Sequence, residues 1–155
     1  MDMNIALFPG SFDPITKGHE SIVKRALPLF DKIVVGIGIN SSKNYLFPVE
    51  KRMEWVKATF INEPKVEVVS YKGLTVKFCK EIKAQFILRG LRNTADFNFE
   101  SGIAQMNAAL DPEIESVFIM TNPELSAINA TIVRDIIRNG GDVQKFVPEN
   151  VKINL

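Results

Sequence analysis

The sequence holds one cysteine and one histidine, and each scarcity removes a class of protein. A lone Cys79 forms no intramolecular disulfide, so nothing points to an oxidising compartment. One cysteine and one histidine also cannot build a conventional structural zinc site. Net charge is equally sparse: 19 basic against 18 acidic residues leave +1. No overall field would hold the chain on a nucleic-acid backbone or an acidic membrane, so any anion site must be local. No uninterrupted apolar run approaches the ~20 residues of a membrane span. The start, Asn4-Ile5-Ala6-Leu7-Phe8, lacks the basic flank and apolar core of a signal peptide, and a soluble cytoplasmic protein is expected.

What is present suits one globular domain over residues 1–155, with 46% apolar and 24% charged residues and enough length to bury a full core. Residues 5–8, 33–39, 66–69, 86–88 and 117–120 are short, β-branched-rich runs read as apolar on both faces, the pattern of buried parallel strands. Between them lie stripes with helical spacing. They are Ile22/Val23, Ala26/Leu27 and Phe30; then Val49, Met53, Val56 and Phe60; then Leu74, Phe78 and Ile82. Phe99, Ile103, Met106 and Leu110 form a fourth, and Ile132/Val133 with Ile136/Ile137 a fifth. Cys79 falls in the third and reads as core. Five βα units predict an α/β domain: a single doubly wound, Rossmann-like fold with a five-stranded parallel sheet. Ligands of such sheets sit beyond the carboxyl ends of the strands, so the loops leaving each strand carry the functional signal.

The first of these runs Pro9-Gly10-Ser11-Phe12-Asp13-Pro14-Ile15-Thr16-Lys17-Gly18-His19. Its prolines and glycines fix an unusual path, and the helix that follows aims its N–H groups and positive dipole end at the crevice, which favours phosphate. Thr16 can cap that helix, and His19 in its first turn can donate to a phosphoryl oxygen. An isolated histidine there reads as an exposed side chain of a tight connection, but this one is the only histidine in the chain. After the fourth strand, Arg89-Gly90-Leu91-Arg92 places two guanidinium forks at a strand mouth, suited to phosphate oxygens. Pairing with surface carboxylates is the alternative. Unaided, Lys43 reads as a solvated loop lysine, Thr75 as a helix start and Glu100 as a dipole-stabilising residue. The polar cluster at 125–131 reads as capping.

Gly-Ser-Phe-Asp-Pro followed by Thr-Lys-Gly-His resembles the T/HxGH signature of the adenylyl- and cytidylyltransferases. The similarity is greatest to the bacterial pantetheine-phosphate adenylyltransferase family, and runs from Ile5 to about Val151. The resemblance implies transfer of the adenylyl group of ATP to 4′-phosphopantetheine, giving dephospho-coenzyme A and pyrophosphate. It implies a catalytic His19 on the ATP phosphates and Ser11 touching both substrates. Lys43, Thr75 and Arg89 would serve phosphopantetheine. Phe12, Gly90, Leu91, Arg92 and Glu100 would serve ATP, Glu100 closing the segment Ala95-Asp96-Phe97-Asn98-Phe99-Glu100, in which Phe99 replaces the family's usual tyrosine. Leu125, Ser126, Ala127, Ile128, Asn129, Ala130 and Thr131 would meet ATP phosphates, with Asn129 and Ala130 departing from the family's two serines. Mg²⁺ is implied as cofactor, neutralising ATP oxygens with few protein ligands, and so is a homohexamer. A related transferase with another acceptor, or a nucleotide-binding module without catalysis, are the competing readings. The RGLR and ADF segments together argue against the first.

Overall fold

The computed structural model describes residues 2–154. Its strands are β1 (Ile5–Gly10), β2 (Lys32–Gly38), β3 (Val66–Tyr71), β4 (Phe86–Leu91) and β5 (Glu115–Met120). All pair in parallel, in the order β3-β2-β1-β4-β5. The helices are α1 (Lys17–Ala26), α2 (Val49–Thr59), α3 (Thr75–Glu81), α4 (Thr94–Leu110) and α5 (Ala130–Arg138). The chain winds outward from β1 through β2 to β3, then returns to lay β4 and β5 on the other side. The order therefore reverses between β1 and β4, which is where a crevice opens in a doubly wound sheet.

Alternation along the central strands builds a core on each face. Ala6 and Phe8, Ile33, Val35 and Ile37, and Leu88 point to one side, where they meet α1, α2, α5 and a C-terminal segment through Val143, Val147 and Val151. Leu7, Val34 and Ile87 point to the other, against Val76, Cys79, Ala84 and Ile114. Each fully buried Val, Leu or Ile stabilises by roughly 1.5–3 kcal/mol, so these two layers carry most of the fold. Cys79 is buried, as expected, and burial pushes its thiol up to about 11, leaving an inert small hydrophobe.

Three expectations from the sequence change. Burial on both faces holds for β1, β2 and β4, whereas β3 and β5 are half-buried edges carrying Glu67 and Glu115. The α4 stripe also faces the other way. Phe99, Ile103, Met106 and Leu110 are 70%, 41%, 67% and 59% exposed, and the one buried residue of α4 is Glu100. A helical stripe announces an apolar side without saying what covers it. Here Asp96, Glu100 and Asn107 take the other side, where α4 forms a wall of the crevice that Ile103 also borders. Leu74, read as core, is the exposed residue before α3, while Phe78 and Ile82 pack as expected.

Candidate active site

The crevice at the β1/β4 switch has two lobes, of about 440 Å³ and 370 Å³. They share Pro9, Gly10, Ser11, Arg89 and Glu100. The first lobe adds Lys43, Tyr45, Tyr71, Thr75 and Asn107; the second adds His19, Arg92, Asn129 and Arg134. The site is thus two cation-lined chambers meeting at the ends of β1 and β4.

The β1–α1 loop is held by short-range contacts. Phe12 adopts φ 48°, the left-handed region that a bulky residue rarely enters, and is 2% exposed. Its ring sits edge-on to Phe8 at 5.6 Å and to His19 at 4.9 Å. A Cβ on Gly10 would come within 3.0 Å of the Phe12 ring, so glycine there makes room for it. Thr16 caps α1 by accepting from the His19 N–H at 3.4 Å, while the Thr16 N–H donates to His19 Nδ1 at 3.0 Å. This is a capping box with histidine where Glu or Gln usually stands. The Lys17 N–H donates to the Phe146 carbonyl at 2.9 Å, fastening the start of α1 to the C-terminal segment.

That box decides the state of His19. With Nδ1 accepting, the ring proton belongs on Nε2. Burial, then the positive charges of Arg89 and Arg92, lower its pKa to about 4. His19 is therefore a neutral imidazole with one N–H donor free to face the second lobe.

Both arginines are already paired with α4. Arg89 grips Glu100 through Nε at 3.0 Å and Nη2 at 2.7 Å, and its Nη1 donates to the Pro9 carbonyl. Arg92 grips Asp96 through Nε at 2.9 Å and Nη2 at 3.0 Å, and the hydrogen bond from Arg92 holds the Asp96 carboxyl below its usual range. Asp96 and Glu100, one turn apart, thus orient two forks whose remaining N–H groups face the crevice. The carboxylate pairing weighed for these arginines and their place in an anion site coexist. Glu100 lines both lobes with its carboxylate held by Arg89, a support for that arginine more than a free contact.

Of the other residues singled out in the sequence, Thr75 lines the first lobe, its hydroxyl 3.1 Å from the Tyr71 hydroxyl. Lys43 lines the same lobe from an exposed loop. Gly90, Leu125, Ile128, Ala130 and Thr131 line the second lobe with Phe12 and His19. Asn129 caps α5, its Oδ1 accepting from the Thr131 N–H at 2.7 Å. Leu91, Ser126 and Ala127 are not among the lining residues: Leu91 is 5% exposed, and the Ser126 hydroxyl donates to the Pro123 carbonyl. Arg134 is a cation that sequence reasoning passed over. It bridges the Asp13 carbonyl at 3.1 Å and the Thr131 hydroxyl at 3.1 Å at the edge of the second lobe. Its placement one turn beyond Thr131 on a helix aimed at the crevice was the available signal.

A parallel sheet with a helix start, a neutral imidazole and two arginines at its switch point defines the class of nucleotide-handling transferases. Residues 7–136 match the model of the cytidylyltransferase-like family. A phosphopantetheine adenylyltransferase of Flavobacterium psychrophilum is 53% identical over 97% of this chain and 99% of its own length. One from Flavobacterium johnsoniae is 52% identical over the same shares, and one from Bacteroides thetaiotaomicron is 45% identical over 98% of this chain and all of its own. Among solved structures, a bifunctional NMN adenylyltransferase/ADP ribose pyrophosphatase from Francisella tularensis aligns with TM-score 0.67 at 18% identity. It covers 94% of this chain, which spans 45% of that longer protein, and the likeness supports the fold alone. The chain belongs to the cytidylyltransferase-like family and, within it, to the phosphopantetheine adenylyltransferases.

Proposed function

We propose that the protein transfers the adenylyl group of ATP to 4′-phosphopantetheine, releasing pyrophosphate and forming dephospho-coenzyme A. The observation that carries this reading is the pair of lobes, each with its own cations, meeting at Ser11 and Arg89. ATP occupies the second lobe, with its phosphates at the start of α1, Arg92 and the start of α5. Phosphopantetheine occupies the first, with its phosphate toward Lys43 and Arg89 and its arm toward Thr75 and Tyr71. An oxygen of the acceptor phosphate bonds to the α-phosphorus as the bond from that phosphorus to the bridging oxygen breaks, and pyrophosphate leaves. The attacking oxygen is already anionic, so no strong base is needed. Alignment and charge stabilisation do the catalysis. His19 contributes a neutral Nε2–H donor to the phosphoryl oxygens.

Mg²⁺ would come to this site on the ATP phosphates. Among the described residues no three His, Cys, Asp or Glu side chains cluster to hold a metal, and Asp96 and Glu100 are engaged by arginines. When bound it neutralises phosphate charge. Among the described residues no helix is long and apolar enough to cross a membrane, and the reading places the work in the cytoplasm. The exposed row Phe99, Ile103, Met106 and Leu110, beside the half-buried edge strand β5, supports assembly with further copies of this chain, a homohexamer by family resemblance. Such contact would press α4, and with it Asp96 and Glu100, against the crevice.

The test is to supply the protein with ATP, Mg²⁺ and a panel of phosphorylated acceptors and to measure pyrophosphate. Release with 4′-phosphopantetheine is expected. Release with nicotinamide mononucleotide or glycerol 3-phosphate in its place would overturn the acceptor, and ATP binding with no release would overturn catalysis.

A further inference from the structure

Lys43 rides on a loop whose residues 40–44 are exposed, yet the loop is fastened at both ends. Within it, Asn40 Oδ1 accepts from the Ser42 N–H and hydroxyl, and the Lys43 N–H donates to the Asn40 carbonyl at 3.0 Å. The Tyr45 hydroxyl closes the base, accepting from the Asn40 N–H at 2.9 Å and donating to the Gly38 carbonyl at 3.3 Å. The face of the same ring lies 4.0 Å from the Arg52 guanidinium carbon.

Arg52 is 2% exposed and makes no ion pair among the described residues. Its Nη1 donates to the Ser11 carbonyl at 2.8 Å and its Nε to the Phe47 carbonyl at 3.1 Å. Asp13 mirrors it. At 3% exposed it too lacks an ion pair, and its two oxygens accept from the Leu46 N–H at 2.7 Å and the Phe47 N–H at 2.9 Å. Burying charge without a counter-charge is costly, and apolar side chains would fill the same volume more cheaply. Both charges instead bind backbone atoms of the two loops that flank the crevice. Asp13 reaches from the β1–α1 loop to the β2–α2 loop, and Arg52, standing on α2, holds one carbonyl of each.

We infer that Asp13 and Arg52, with Tyr45, are positioning residues that lock the Lys43 loop to the Ser11 loop and so fix the distance between the two substrate phosphates. Asp13 borders the second lobe, but its carboxylate, like the Arg52 guanidinium, is taken up by backbone partners. They act through Lys43 on one side and Ser11 on the other. The inference rests on Lys43 holding the acceptor phosphate.

A double-mutant cycle on acceptor KM tests it, using Lys43→Ala, Asp13→Asn and their combination in the full-length protein. Asn keeps the shape of Asp13 but turns one acceptor into a donor, so one of the two loop bonds is lost. Lys43→Ala and Asp13→Asn should each raise acceptor KM about tenfold, with kcat and ATP KM moving far less. The double variant should be no worse than about twofold beyond the weaker-binding single, because a freed loop no longer presents Lys43 usefully. A general loss of packing would instead multiply the two effects, and that additive result overturns the clamp while sparing the role of Lys43. An unchanged acceptor KM in Lys43→Ala alone overturns the role of Lys43 and the clamp with it. Tyr45→Phe removes one hydroxyl from a half-buried loop position, leaving the core intact. It supplies the same cycle if Asp13→Asn folds poorly, with a smaller single effect and the same lack of additivity expected.

Discussion

Arg89 and Lys43 face the same lobe and are built in opposite ways. Arg89 issues from a central strand, is gripped by Glu100 and Pro9, and points where its partners send it. Lys43 stands on an exposed loop with no ion pair among the described residues, and only the loop's anchoring sets its place. The wall of β1, β4 and α4 is therefore preorganised down to its side chains, while the β2–α2 loop is preorganised in its backbone alone. Preorganised charge stabilises a transition state without reorganisation, and a solvated lysine suits capture of an incoming phosphate. On the proposed function, the difference would give chemistry to the wall and capture to the loop.

Substitutions can break that contrast. The largest effect is expected from His19→Ala, which removes the neutral donor at the start of α1 beside the wall and should lower kcat roughly 10²–10³-fold in steady-state assays. Near-normal turnover would remove His19 from the chemistry. Next comes Arg89→Ala, which should both weaken acceptor binding and leave the Glu100 carboxylate buried and alone, a loss of about 3 kcal/mol in denaturant unfolding. Lys43→Ala should raise acceptor KM about tenfold and leave the unfolding midpoint unmoved, since nothing buried loses a partner. If Arg89→Ala and Lys43→Ala shifted stability alike, the contrast between fixed and free cations would fail.

The last test concerns pH. The folded pKa of His19, about 4, lies below the ordinary imidazole value of 6.5, so the unfolded chain takes up this proton first. The stability contributed by a neutral His19 is then complete above about 6.5 and is lost as pH falls through about 4. Unfolding of the native protein and of His19→Gln, compared across that window, should show the native protein losing ground as acid is added. Parallel curves would mean that His19 titrates normally.

How much of this could be read in advance depended on whether partners were close in sequence. The five strands, the order of elements, the Thr16 cap and the two arginines are local patterns, and each stood where its pattern predicted. Strand ends ran further than the apolar runs suggested, because β1 continues through Pro9 and Gly10 and β4 through Arg89 to Leu91, residues chosen for the crevice and not the core. The outward turn of the α4 stripe was hidden, since periodicity is the same whichever surface covers it. Asp13 and Arg52 were invisible for a different reason. Apart from the Phe47 carbonyl near Arg52, their partners are backbone atoms 33 to 41 residues away, which carry no side-chain signature.

The hydrogen bond from Lys17 to the Phe146 carbonyl has a consequence in time. The helix that carries His19 leaves the ribosome before the stretch that secures its start. Val143, Val147 and Val151 seal the same core layer. A nascent chain therefore holds His19 before it holds the frame that aims it, and the start of α1 is secured only once the segment around Phe146 has docked.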